Sequence, residues 1–362
     1  MRSEPVLALS AGEASGDLHA GNLLAALRER LPVRAWALGG PRLAQAGAEV
    51  VVPFEAVSAM GLLEAAGKLP ALSRARRVLR ERLRTDRPDL FVPVDFGGFN
   101  LALAAEARAL GIPVLYYIPP KVWAWGGWRV RKLRERVDEA LVILPFEERY
   151  LAERGVRATY VGSPVADHVA GRRWRPEPGR VGLLPGSRRG EIVRIWPLLR
   201  EVAERLRGER PLRFEVPLAP GVDRAWFGGA DGVEFTGDAL SVMERSELVV
   251  AASGTAALEC ALVGVPTVVV YRVNPLTYLL GRLLVRVPHV SLPNLIAGRE
   301  VVPEFIQRPA AEVAGAALRL LGNREAREAM LRGFDEVRSA VGAPGAAGRA
   351  ADRIARFLEE RP

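Results

Sequence analysis

The chain has 362 residues, 49% of them hydrophobic and 26% charged, a composition that excludes a disordered protein and leaves room for two ordinary domains. Its formal net charge of +9 favours acidic partners: nucleic acid, anionic lipid surfaces or phosphorylated small molecules. One cysteine and three scattered histidines exclude a disulfide framework and a cysteine-based metal site, and no Asp-x-Asp pair is present to hold Mg²⁺ against a diphosphate.

The first strand candidate, Val6–Ser10, runs into the loop Ser10-Ala11-Gly12-Glu13-Ala14-Ser15-Gly16-Asp17 and a helical run over Leu18–Arg30. The glycine spacing misses Gly-x-Gly-x-x-Gly, and no acidic residue closes the second strand, so a nicotinamide dehydrogenase is disfavoured. The loop instead sets Glu13, Ser15 and Asp17 at the end of a strand, where a carboxylate binds or deprotonates a hydroxyl. Ser15 or Asp17 would equally serve as a cap for the helix at Leu18. Glu13 has less structural work to do and is the better candidate.

Strands over Val33–Leu38 and Val50–Phe54 precede an apolar cluster of Met60, Leu62, Leu63, Leu69 and Leu72, which lies beside Arg74, Arg76, Arg77 and Arg80. Apolar residues next to dense positive charge suit shallow insertion into an anionic bilayer. A helix over Ala71–Arg84 that packs its leucines on the sheet and exposes its arginines is the other reading. Strands over Leu90–Asp95, Val114–Ile118, Ala140–Leu144 and Thr159–Val161, with a helix over Leu101–Leu110, complete this half. Basic residues interleave with aromatics only at Lys121–Arg136, and no zinc-finger or RNP-type motif is present, so nucleic acid is the weaker partner class.

Arg172–Arg180, rich in arginine and proline, reads as a linker. Strand candidates then resume at Val181–Leu184, Arg213–Pro217, Val233–Phe235, Leu248–Val250 and Thr267–Tyr271. After these the strands stop, and Ala310–Leu321, Arg324–Ser339 and Ala346–Glu360 read as helix. Two turns in this half suit a phosphate. In Pro185–Glu191, glycine lets backbone approach a ligand, Ser187 donates and Arg188 offers a planar fork. A solvated loop is the alternative there, because arginine is abundant and the only lysines are Lys68, Lys121 and Lys132. In Ser253-Gly254-Thr255, a strand hands a small turn to the helix Ala256–Val263, whose first N–H groups are free for an anion. Glu259, four residues past Thr255, faces the same side and suits a ribose diol. An ordinary capped helix is the alternative. Cys260 reads as a buried small hydrophobe.

Short strands alternating with helices predict an α/β fold of two Rossmann-like doubly wound domains facing across a cleft, with ligands at the carboxyl ends of the strands. The expected division is 1–166 and 167–343, joined near Asp167–Pro178, with 344–362 a helix that returns to the first domain. No 18-residue uncharged apolar stretch and no signal-peptide pattern occur, which predicts a cytoplasmic protein.

Taken in order, Ala11–Asp17, Val122–Trp125, Leu144–Glu147, Leu184–Arg188, Ser253–Glu259, Tyr271-Arg272 with Asn274-Pro275, and Ser291–Glu300 through Gln307 resemble the lipid-A-disaccharide synthase family. These are inverting glycosyltransferases of the two-domain GT-B type. The resemblance implies a UDP-2,3-diacylglucosamine donor, a 2,3-diacylglucosamine 1-phosphate acceptor and a β-1,6-linked product, with no metal or cofactor. It also implies peripheral association with the anionic inner face of the cytoplasmic membrane, and a homodimer. By likeness, Ser187 and Arg188 lie near the diphosphate, Ser253, Gly254 and Thr255 at the helix terminus, and Glu259 on the ribose. Arg272, Asn294 and Gln307 line the same site, while Ser15, Asp17, Asn100 and Trp123 fall on the acceptor side.

The chain departs from the family where Asp-x-Pro-Asp-Phe-Asn is usual. It has Asp95-Phe96-Gly97-Gly98-Phe99-Asn100, so Gly98 replaces an aspartate tied to the general base. Tyr116, Pro119 and Lys121 likewise replace a histidine and two serines. The base is then expected to be Asp95 or Glu13, with Asp89 the least favoured because it precedes its strand. A different acceptor on the same UDP-sugar, or a catalytically weak UDP-sugar-binding protein, is the alternative that Gly98 leaves open.

Overall fold

The computed structural model describes residues 4–57, 69–124, 126–219, 221–274 and 288–360. It divides into two compact units: one takes in the chain up to Pro164 and again from Pro344, and the other is Val165–Ala343.

Among the described residues, the first unit holds a seven-stranded parallel sheet. Its strands are β1 (Val6–Ala11), β2 (Arg34–Gly39), β3 (Glu49–Pro53), β4 (Leu90–Val94), β5 (Leu115–Tyr117), β6 (Glu139–Val142) and β7 (Ala158–Tyr160), in the order β3-β2-β1-β4-β5-β6-β7. The run Leu7-Ala8-Leu9 and its partners Leu90-Phe91-Val92 are buried on both faces, as a parallel sheet covered by helices requires. Strand order reverses between β1 and β4. The loops leaving these two neighbours therefore diverge, which opens a crevice at their carboxyl ends.

Helices Ala14–Arg28 and Gly97–Ala109 follow β1 and β4. Each begins four residues before its apolar pattern does, because glycine and small polar residues fill the first turn. The terminal helix Ala346–Glu359 packs on Ala14–Arg28, burying Ala350, Ala351, Ile354 and Phe357 in one cluster with Leu23, Leu24 and Leu27. Full burial of such a large apolar side chain is worth about 1.5–3 kcal/mol. Arg353 adds a two-pronged bond to the buried Glu139 carboxylate, at 2.8 and 2.7 Å.

Met60, Leu62 and Leu63 lie outside the described residues, as does the Leu69 side chain. Leu72 is half-buried against the core, with Ala75, Leu79 and Leu83 of the helix Leu69–Asp86 buried beneath it. It packs on the sheet instead of facing out, which corrects its place in the membrane-contact cluster.

The second unit's sheet has the order β10-β9-β8-β11-β12-β13. The strands are β8 (Arg180–Leu184), β9 (Arg213–Pro217), β10 (Val233–Thr236), β11 (Leu248–Ala252), β12 (Thr267–Tyr271) and β13 (Glu304–Ile306). The last was not expected. It is three residues long and opens on Glu304, whose carboxylate holds the start of the helix Leu292–Ala297 by accepting from the N–H groups of Val290 (3.0 Å) and Ser291 (2.9 Å). Nor is Arg172–Arg180 a free linker. Arg172 pairs with Glu244 at 2.8 Å, the Trp174 indole donates to the Ser246 carbonyl at 2.8 Å, and Arg175 and Glu177 bond the backbone of Glu244 and Arg245. Among the described residues, no helix is long and apolar enough to cross a membrane.

Candidate functional site

In the second unit, β8, β11, β12 and β13 are neighbours, so the turns that leave their carboxyl ends share one edge. The turn after β8 leads into the helix Arg189–Glu209, and the turn after β11 into Thr255–Val263. Neither helix has a side-chain cap on its first N–H groups. Two sets of uncapped backbone donors, each at the positive end of a helix dipole, thus lie at adjacent strands. Ser187, Arg188, Gly254 and Thr255 are exposed beside them. Gly186 has φ +105°, and a Cβ there would strike the Glu191 carboxylate, so this turn demands glycine.

Glu259 lies one turn deeper, its side chain 15% exposed, with Oε1 3.2 Å from His168 Nδ1. His168 was not singled out by the sequence, because nothing in its spacing ties it to Glu259. Ser253 donates its hydroxyl to the Val290 carbonyl at 3.0 Å. Arg272, half-buried after β12, reaches the Arg308 carbonyl at 3.4 Å. Gln307 follows β13 with φ +55°, and its amide donates to the Val273 carbonyl at 2.8 Å.

Asn294 does not join this edge as a ligand group. It is fully buried, donates to Val302 O (2.8 Å) and Glu304 Oε1 (2.7 Å), and accepts from the N–H groups of Val301 (2.7 Å) and Val302 (2.9 Å). Its amide is consumed in shaping the chain before β13, which corrects its assignment to the nucleotide.

In the first unit, the loops after β1 and β4 carry the acceptor-side candidates. Glu13 and Ser15 are exposed at the start of Ala14–Arg28. Asp17 is 2% exposed, and its carboxylate accepts from the N–H groups of Gly40 (2.7 Å), Arg42 (2.9 Å) and Leu43 (3.2 Å). It caps the short helix Pro41–Gln45, neither its own helix nor an acceptor, and the acceptor assignment is corrected.

Asp95 and Phe96 are consecutive non-glycine residues in the left-handed region, at φ +49° and +52°. Each such residue costs of order 1–3 kcal/mol and persists only where its surroundings over-determine it. Here the Asp95 carbonyl is pinned twice, by the Tyr116 hydroxyl at 2.6 Å and by Asn100 Nδ2 at 2.8 Å. Burial raises the Tyr116 phenol well above its ordinary pKa, and the Asp95 charge adds to this, so it remains a neutral donor. Asn100 is buried, donates also to Ser10 O (3.0 Å) and Val94 O (3.3 Å), and accepts from Ser10 Oγ (2.6 Å). It ties β1 to the turn after β4 and has nothing left for an acceptor, a further correction. The Asp95 side chain is exposed, with Oδ1 accepting from the Phe96 N–H at 2.8 Å. Gly98 is exposed in the next turn, and a Cβ there would meet no atom within 4 Å.

Trp123 is half-buried, edge-on to Phe146 with centroids 5.0 Å apart. Its indole N–H is spent on Glu147 Oε1 at 2.8 Å. Burial pushes the Glu147 carboxyl up, against the opposing pull of that bond and of the Leu144 N–H. Among the described residues, no group of three or more histidine, cysteine or acidic side chains could hold a metal ion.

The second unit's edge thus offers backbone N–H groups, hydroxyls and a guanidinium, with a carboxylate one turn deeper: a set suited to a diphosphate and a diol. The first unit's edge offers exposed carboxylates and few free polar partners.

Residues 7–336 match the family model described as lipid-A-disaccharide synthetase. The chain is 43% identical to the lipid-A-disaccharide synthase of Myxococcus xanthus (strain DK1622), covering 99% of both chains. It is 39% identical to that of Geobacter sulfurreducens, covering 96% of both. In backbone it is similar to a glycotransferase of kitacinnamycin, with TM-score 0.68 and 18% identity over 98% of this chain and 99% of that one. A UDP-GlcNAc 2-epimerase from Neisseria meningitidis gives TM-score 0.62 and 13% identity over 98% and 100%. At such identities these two structures speak for the fold alone, which is of the GT-B type.

Proposed function

Because the chain belongs to the lipid-A-disaccharide synthetase family, we propose that it moves 2,3-diacylglucosamine from UDP to the 6-hydroxyl of 2,3-diacylglucosamine 1-phosphate. It is a glycosyltransferase, and the near-complete coverage of its relatives is the observation that carries this. That coverage favours the synthase over a catalytically weak binding protein.

The second unit takes the UDP-sugar. Ser187, Arg188 and the N–H groups around Gly254 and Thr255 meet the diphosphate, and Glu259 meets the ribose diol, with Ser253, Arg272 and Gln307 alongside. The exposure of the two turns and the uncapped helix starts support this. Charge grows on the leaving UDP as the glycosidic bond breaks. Preorganised N–H groups and a guanidinium lower that barrier without a reorganisation cost. These residues would serve the leaving group without a divalent ion.

Inversion needs one displacement, in which a base removes the proton of the attacking hydroxyl. Asp95 is that base, supported by its exposed carboxylate on a doubly pinned backbone, and Glu13 is the second carboxylate of the same edge. Ser15 and the Trp123 ring face contact the acceptor. The protein works in the cytoplasm against the anionic inner face of the membrane, a reading supported by its net charge of +9 and by Met60, Leu62 and Leu63 in sequence.

The test is UDP release from the acylated donor, with and without the acylated monophosphate. Release that needs the acceptor is expected. Release from donor alone, or binding without turnover, would overturn the reading.

A further inference from the structure

We propose that His168 is a positioning residue for nucleotide recognition: it holds the Glu259 carboxylate in the orientation that meets the ribose diol. The inference rests on the assignment of Glu259 to the ribose and adds a residue to it.

Glu259 projects from the second turn of Thr255–Val263 on three rotatable bonds, so an unrestrained carboxylate there samples many directions. His168 ends the helix Pro164–His168 and brings Nδ1 to 3.2 Å from Glu259 Oε1. Among the described residues, no other bond to this carboxylate is present. The bond needs a proton on Nδ1, which either the neutral ring or the charged one supplies. One oxygen is thereby fixed, and the other is left for sugar hydroxyls. The His168 side chain is 61% exposed while that of Glu259 is only 15% exposed. The imidazole thus braces the carboxylate from the solvent side, and its removal leaves no buried gap. Ordering one group before the ligand arrives raises affinity without a new contact to it.

Calorimetry on the full chain with UDP and with 2′-deoxy-UDP reads this directly. The unaltered protein should prefer UDP. His168→Ala should reduce that preference about fivefold by weakening UDP alone, a typical net loss for one hydrogen bond. His168→Asn should restore it, because Asn Nδ2 occupies the place of the ring Nδ1. Equal weakening of both nucleotides would make His168 merely structural and overturn the inference. A preference that survives His168→Ala but is lost in Glu259→Ala would overturn it while leaving Glu259 on the ribose. No preference in the unaltered protein, or one that survives Glu259→Ala, would remove the ribose assignment and the inference with it.

Discussion

At the carboxyl edge of β8 and β11, the polar groups are backbone N–H donors and the exposed side chains of Ser187, Arg188 and Thr255. At the carboxyl edge of β1 and β4, Asp17 and Asn100, with Tyr116 of the neighbouring β5, are buried and bonded to protein, while Glu13, Ser15 and Asp95 are exposed. The two edges have the same parentage in parallel strands, yet one draws its donors largely from the main chain and the other ties its path together with buried side chains. Where a helix start supplies donors from the main chain, side chains need only be small and out of the way. Where side chains hold the backbone path, a buried polar residue reports on the loop and not on a ligand. The departures from the family pattern, Gly98 and Tyr116 among them, fall at the second kind of edge.

Four substitutions break or sharpen this contrast. Asn100→Ala strips partners from Ser10, Val94 and Asp95 together, and should lower the stability of the first unit by about 3 kcal/mol in urea unfolding. A loss below about 1 kcal/mol would return Asn100 to the ligand side. Asp95→Asn should cut turnover about 10²-fold with UDP affinity nearly unchanged in calorimetry; an unaltered rate removes Asp95 from the mechanism. Arg188→Ala should weaken UDP binding about tenfold and leave the unfolding of the first unit untouched. Unchanged UDP affinity would make that turn a solvated loop. Gly98→Asp should shift stability by less than about 0.5 kcal/mol, since the site is open. Its turnover should stay within about threefold, and a gain of tenfold or more would move the base from Asp95 to that position.

The strands and helices of the two sheets were mostly legible, because buried parallel strands and amphipathic helices write their periods into the residues. β13 was not, because its three residues open on Glu304, a carboxylate used as a cap. The early starts at Ala14 and Gly97 were hidden by glycine, a poor helix former whose cost the tertiary structure absorbs. At the candidate site, glycine and hydroxyl residues after β8 and β11 marked turns that are exposed and lead into uncapped helix starts. Asp17, Asn100 and Asn294 misled for one reason: an amide or carboxylate saturated inside the fold has the same letter as one facing a ligand. His168 needed coordinates, since 91 residues separate it from Glu259.

The terminal helix carries a consequence for biosynthesis. Val165–Ala343 is one uninterrupted stretch, whereas the first unit is assembled from both ends of the chain. A ribosome that has finished the first seven strands has not yet made Ile354, Phe357 or Arg353. Until it does, Leu23, Leu24 and Leu27 lack their cover and the Glu139 carboxylate has Arg157 but lacks the two-pronged guanidinium of Arg353. The unit begun first is completed last, and a nascent chain stopped at residue 343 would present a sticky leucine strip to chaperones.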